Sequence, residues 1–142
     1  MGVTGKLQFG DNKNGTYSNT YNLVDSHLHF MRHHNHFKPD TDAKCDKVEV
    51  VVVAPGKEDL NLYEWYISNG TQNGRLTYEL QSAKTGATET KILLFEGAYC
   101  YSIEEEYQIN TNQKRFLRLS FVAEKITIND VNFNNLYANT AI

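Results

Sequence analysis

At 142 residues, with 14 Lys and Arg against 17 Asp and Glu, the chain is sized for one domain, and its mild acidity gives a nucleic-acid partner no electrostatic footing. The longest apolar run, Val50 to Ala54, is far too short to cross a bilayer, and Met1 to Lys6 lacks the charged opening and apolar stretch of an export leader. Neither a membrane partner nor signal-directed export is therefore expected, and Cys45 and Cys100, the only cysteines, are expected to be free thiols.

Short alternating runs of β-branched and aromatic residues, separated by Gly, Asn and Thr clusters, predict a mainly β chain. In chain order the expected strands are Thr4 to Phe9, Thr20 to Met31, Lys47 to Ala54, Arg75 to Gln81, Thr90 to Phe95, Ala98 to Gln108, Lys114 to Lys125 and Ile126 to Phe133. Between the second and third lies a long polar connection, Arg32 to Lys47, where a tight turn would have sufficed; it is read either as an excursion or as a loop ordered by a neighbouring subunit. One helix is expected from Glu58 to Asn69, because Leu60, Tyr63 and Ile67 recur at helical spacing, Asp59 can cap the first turn and Gly70 is a natural stop. Trp65 and Tyr66 widen its apolar side, so it should lie against the sheet. Lys84 to Ala87 and Asn110 to Gln113 have the composition of hairpin turns. In the Lys114 strand, Leu117, Leu119 and Phe121 should face the core while Arg118 and Ser120 face outward. Such strands with a covering helix could close into a small barrel or stack as a sandwich.

Chemistry-bearing residues are few. His27, His29, His33, His34 and His36 crowd one region, and His27, His29 and Asp25 would share a strand face, which invites a metal site; yet no Cys or Glu motif completes a set of ligands, so a polar surface is favoured and no metal is assigned. Glu104, Glu105 and Glu106 point alternately to opposite faces, so they form no acid/base pair. Cys100 sits in an apolar run without thiol-enzyme motifs, whereas Cys45 lies in a polar stretch and should be exposed. The scattered glycines form no phosphate cradle, and Asn69-Gly70-Thr71 matches a glycosylation pattern that matters only on a secretory route. No catalytic, cofactor-binding or metal residue is assigned.

The segment Leu62-Tyr63-Glu64-Trp65-Tyr66-Ile67-Ser68, followed by Gly74-Arg75-Leu76, resembles the helix and next strand of the Hcp (TssD) family, the tube proteins of the type VI secretion system. Phe95-Glu96-Gly97-Ala98-Tyr99-Cys100, the run Leu119 to Ile128, and Val131-Asn132-Phe133 are similar to that family's late strands. The histidine-rich stretch His27 to His36 is a departure. The resemblance spans most of the chain and implies a single domain over 1-142, a small closed β-barrel of about eight strands with one flanking α-helix. It further implies a structural subunit, not an enzyme. By this resemblance the chain forms hexameric rings that stack into a hollow tube inside a contractile sheath, below a spike protein (VgrG), with effector proteins in the lumen. The loop from Arg32 to Lys47 would reach the next ring. Such a subunit is made in the cytoplasm and secreted by the machine itself. The alternative is a monomeric β-barrel that binds a ligand or metal through the His27 to His36 region. A hydrolase would need converging titratable groups that the sequence does not offer.

Overall fold

The computed structural model describes residues 3–31, 34–35, 38–39, 44–68, 70–81, 86–109, 114–129 and 131–134. Nine strands and one helix appear among them: β1 (Val3–Asp11), β2 (Thr16–Met31), β3 (His34–Asn35), β4 (Lys38–Pro39), β5 (Lys44–Val53), α1 (Asn61–Ile67), β6 (Gln72–Gln81), β7 (Thr88–Gln108), β8 (Lys114–Ile128) and β9 (Val131–Asn134). The main sheet runs β5-β2-β1-β6-β7-β8-β9, and β5 also pairs with β8. Six strands thus make a closed circuit in which every neighbour is antiparallel. Closure leaves those six with no continuous open edge.

The circuit holds six strands, not about eight. Two expected strands, Thr90 to Phe95 and Ala98 to Gln108, are one 21-residue strand bent at Gly97, whose φ of 63° only glycine adopts without strain. β8 runs on to Ile128 and reverses at Asn129, so the expected final strand divides between β8 and β9. Asn129 takes a φ of 44°, its Oδ1 accepts from the Ile92 amide and its own amide donates to the Ile92 carbonyl, which fixes the reversal on β7.

Inward-facing residues of every circuit strand meet in one core. Leu7 and Phe9 come from β1, Val48, Val50 and Val52 from β5, and Leu117, Leu119 and Phe121 from β8, as the alternation predicts. Bulges shift that alternation where the chain needs it. Val24 has no cross-strand partner, so β2 turns Tyr21 inward before it and Leu28 inward after it.

Helix α1 is shorter than expected and rotated. Leu62 and Trp65 are its buried residues, while Leu60, Tyr66 and Ile67 are exposed. The N-cap is Leu60, not Asp59, and it has no side-chain cap bond; Asp59, one residue earlier, accepts from the Asn61 amide at 3.1 Å through Oδ1 and from the Tyr21 hydroxyl. The helix ends at Ser68, whose extended backbone carries the chain away before Gly70. Trp65 stands edge-on to Phe9 at 5.0 Å and tilted to Phe121 at 5.3 Å. Such aromatic contacts add about 0.5–1.5 kcal/mol beyond burial. Gly74 makes room for this cluster, since a Cβ there would lie 2.2 Å from the Gln8 carbonyl and 2.8 Å from the Phe95 ring.

Candidate assembly surface

The chemistry-bearing residues were followed from the strands that present them. On β2, Asp25, His27 and His29 all lie exposed on one outer face, as the spacing predicts. His29 is held individually: its Nδ1 lies 2.7 Å from Asp46 Oδ1. The register between β2 and β5 skips Asp46, and this bulge places its carboxylate beside the histidine. Among the described residues no group of three His, Cys, Asp or Glu gathers as a metal site. His34 contributes backbone to β3, and His33 and His36 lie outside the described residues.

Glu104, Glu105 and Glu106 separate as alternation requires. Glu104 faces Arg118, with Oε2 at 3.9 Å from Nε, within a polar ladder on the outer surface. That ladder continues from Arg118 Nη1 to Glu49 at 3.0 Å and from Lys47 to Glu49 at 4.0 Å. Glu105 takes the other face and accepts hydrogen bonds from the Tyr63 and Tyr107 hydroxyls, joining α1 to the far end of β7. Those two donors hold its carboxyl below the ordinary range. Both tyrosines are displaced upward, Tyr63 first by burial and Tyr107 first by its bond to Glu105.

Cys45 corrects the sequence reading. It is fully buried, because β5 begins at Lys44 and carries Cys45 into the core, and burial followed by the Asp46 charge pushes its thiol up to about 11. Cys100 is buried as expected, and neither cysteine is in a disulfide. The connection after β2 is correspondingly shorter. Within it, β3 and β4 pair His34 with Pro39 and Asn35 with Lys38, and the rest of residues 32–43 lies outside the described residues. The turns expected at Lys84 to Ala87 and Asn110 to Gln113 lie largely outside them too, though β6 with β7 and β7 with β8 pair antiparallel across both.

Exposed apolar side chains are what sequence reasoning missed. Leu60 just before α1 and Tyr66 and Ile67 on it are exposed, and Tyr99, Tyr101, Tyr107 and Ile109 line β7 and its end. Ile67 is 77% exposed. Apolar spacing in the sequence signals a buried face without saying whether this chain or another covers it.

Surface cavities among the described residues include three of about 270, 260 and 520 Å3. A small β-built subunit with one core, a mixed-charge outer face and unpartnered apolar residues defines a class of protein that works through its surface. More particularly, the chain matches the family described as "Hemolysin coregulated protein Hcp (TssD)" over residues 1–137 and belongs to that family of type VI secretion tube subunits. Hcp1 from Flavobacterium johnsoniae is similar in structure, with a TM-score of 0.67 at 18% identity over 93% of this chain and 99% of that one. Hcp1 from the E. coli EAEC 042 pathovar gives 0.60 at 11% identity over 90% of each chain. The secreted protein Hcp3 from Pseudomonas aeruginosa gives 0.59 at 13% identity, covering 89% of this chain and 88% of that one. At these identities the structures share the fold, and no curated protein matches the sequence.

Proposed function

We propose that this chain is a single barrel-like domain whose copies close into hexameric rings, and that the rings stack into the hollow inner tube of a type VI secretion system. The observation that carries this reading is the family match over residues 1–137, together with apolar residues left uncovered on α1 and β7. A ring of identical subunits needs two different complementary faces on each copy. A mixed-charge surface with separate apolar patches suits that requirement.

The connection of residues 32–43, with its short β3 and β4 ladder, is proposed to reach the next ring. Stacking must be reversible, so this contact should be smaller and more polar than the one within a ring. Further partners on this reading are the surrounding sheath, a spike protein (VgrG) and effector proteins carried in the lumen, with no role for nucleic acid or membrane. The subunit would be loaded in the cytoplasm and leave with the machine, without catalysis, cofactor or metal. Among the described residues no helix is long and apolar enough to cross a membrane.

Native mass measurement tests the reading directly. Hexameric mass, with annular particles in electron micrographs, is the expected result, and a solitary chain at high concentration would overturn it. Deleting residues 35–42 should leave folded hexamers that stack weakly; unchanged tubes would remove the loop's assigned role.

A further inference from the structure

The cavity of about 520 Å3 is a groove on the outer face of the strand circuit. Its floor is Ile92 and Leu94, which alternate along β7 with core Leu93 and Phe95 and so point away from the core, each only part-buried. One wall is the turn from β1 to β2, tied down where Asn12 Nδ2 donates to the Phe95 carbonyl at 3.1 Å and where the Tyr17 hydroxyl donates to Asn12 Oδ1 at 2.6 Å. The other wall is the reversal at Asn129, fixed to the backbone of Ile92.

Among the described residues that line the groove, only Arg75 is charged. Register fixes where it points: Thr20, Gln8, Arg75 and Leu94 lie opposite one another across β2, β1, β6 and β7, so all four leave the same face. Along this row Arg75 Nε donates to Gln8 Oε1 at 2.8 Å and Gln8 Nε2 donates to Thr20 Oγ1 at 3.1 Å, which commits both ends of the Gln8 amide. The guanidinium carbon also lies 4.1 Å from the centre of the Tyr17 ring. These contacts hold Nε and one face of the guanidinium, and its Nη groups make no hydrogen bond or ion pair with a described residue. A guanidinium set beforehand loses little freedom on binding, and its paired donors match a carboxylate side by side.

The backbone around the groove limits the rest of the ligand. Arg75 sits on β6 between β1 and β7, Leu94 sits on β7 between β6 and β8, and the Ile92 N–H and C=O are both taken by Asn129. No strand edge is therefore open there for an incoming peptide, whose own amides would lie unpaired on the Ile92 and Leu94 side chains. A hydrocarbon body has no such requirement, and the volume falls in the range of small-ligand sites, about 300–1,000 Å3.

From the fixed cation, the apolar floor and the committed backbone, we propose that this groove is a binding site for a small monocarboxylic acid with an aliphatic or aryl body. The carboxylate would accept from the two Nη groups of Arg75, while the hydrocarbon covers Ile92 and Leu94 between the Asn12 and Asn129 walls. No part of this contact requires a second copy of the chain.

Titration of the full chain with hexanoate, hexanol and hexylammonium tests the site, read by calorimetry and by the methyl resonances of Ile92 and Leu94. Hexanoate should saturate at one molecule per chain, shift those methyls and bind at least tenfold more tightly than hexanol, and hexylammonium should not bind. Arg75→Gln should weaken hexanoate at least tenfold. Arg75→Lys keeps the charge and most of the stem, so it guards against a folding defect, and it should still bind severalfold more weakly because an ammonium cannot present two parallel donors. Gln8→Leu, which leaves Arg75 in place but removes the acceptor of its Nε, should also weaken binding severalfold. No saturable binding of hexanoate, equal binding of hexanol, or unchanged affinity in Arg75→Gln would overturn the site. The peptide Gly-Gly-Ala-Leu bound tenfold more tightly than hexanoate, and lost when its C-terminus is amidated, would assign the groove to a protein tail and also overturn the proposal.

Discussion

The indole Nε1 of Trp65 donates a 3.0 Å hydrogen bond to the carbonyl of Ala98, one residue beyond the bend at Gly97. Helix and strand are thereby joined at the point where β7 changes direction, and the exposed apolar residues of α1 and β7 are carried on the same joint.

Replacing Trp65 tests the joint. Trp65→Phe keeps most of the apolar contact and leaves the Ala98 carbonyl buried without its donor, which should cost about 1–3 kcal/mol. Trp65→Ala also opens a cavity and should cost roughly 3–5 kcal/mol. Urea unfolding of the two variants measures both, and equal losses would show that packing alone matters.

Gly74→Ala forces a methyl group against the backbone carbonyl of Gln8 and the ring of Phe95, so it should destabilise by about 1–3 kcal/mol. Gly56→Ala, where the added carbon meets nothing within 4 Å, serves as the control and should change the urea midpoint little. A tolerated Gly74→Ala would mean that β1 and β6 can separate at that point.

Alkaline pH should unfold the protein through groups buried in their neutral forms. Burial and then the Asp59 charge push Tyr21 from 10.0 to about 12, and Cys45 moves from 9.0 to about 11. Both folded values exceed the unfolded ones. Their contribution is therefore whole below pH 9 and is lost as pH rises toward 11 and 12, where the unfolded chain releases protons first. Denaturant titrations from pH 8 to 11.5 should show stability falling, less steeply in Tyr21→Phe. Iodoacetamide should label Cys45 only as the chain unfolds.

Glu105 titrates in the opposite sense. Its carboxyl is held low by Tyr107 and Tyr63, so the folded state is favoured above the ordinary carboxylate range and loses that preference as pH falls through the lowered value. Tyr63→Phe or Tyr107→Phe should raise the Glu105 titration midpoint seen by carbon NMR. An unmoved midpoint would show that the bonds do not persist in solution.

The outward chemistry was largely legible before the structure: Asp25, His27 and His29 do share a face, Arg118 does point out between Leu117 and Leu119, and the three glutamates do divide. Two readings failed for the same reason. Cys45 was placed by its polar neighbours, yet strand alternation carries it inward, with Asp46 left out of the ladder. In α1, the Leu60, Tyr63 and Ile67 stripe and the Leu62 and Trp65 stripe both have helical spacing, and a helix of seven residues is too short for periodicity to choose.

Composition and alternation by themselves determined a β-rich chain, the one helix among its described residues and most of its inward residues, because side-chain period and turn chemistry are local properties. Only the tertiary structure decided that six strands close on one another, which helix face is buried, and that Arg75 stacks on the Tyr17 ring. Those depend on bulges that shift register by one residue and on contacts between segments far apart in sequence, neither of which a linear pattern records.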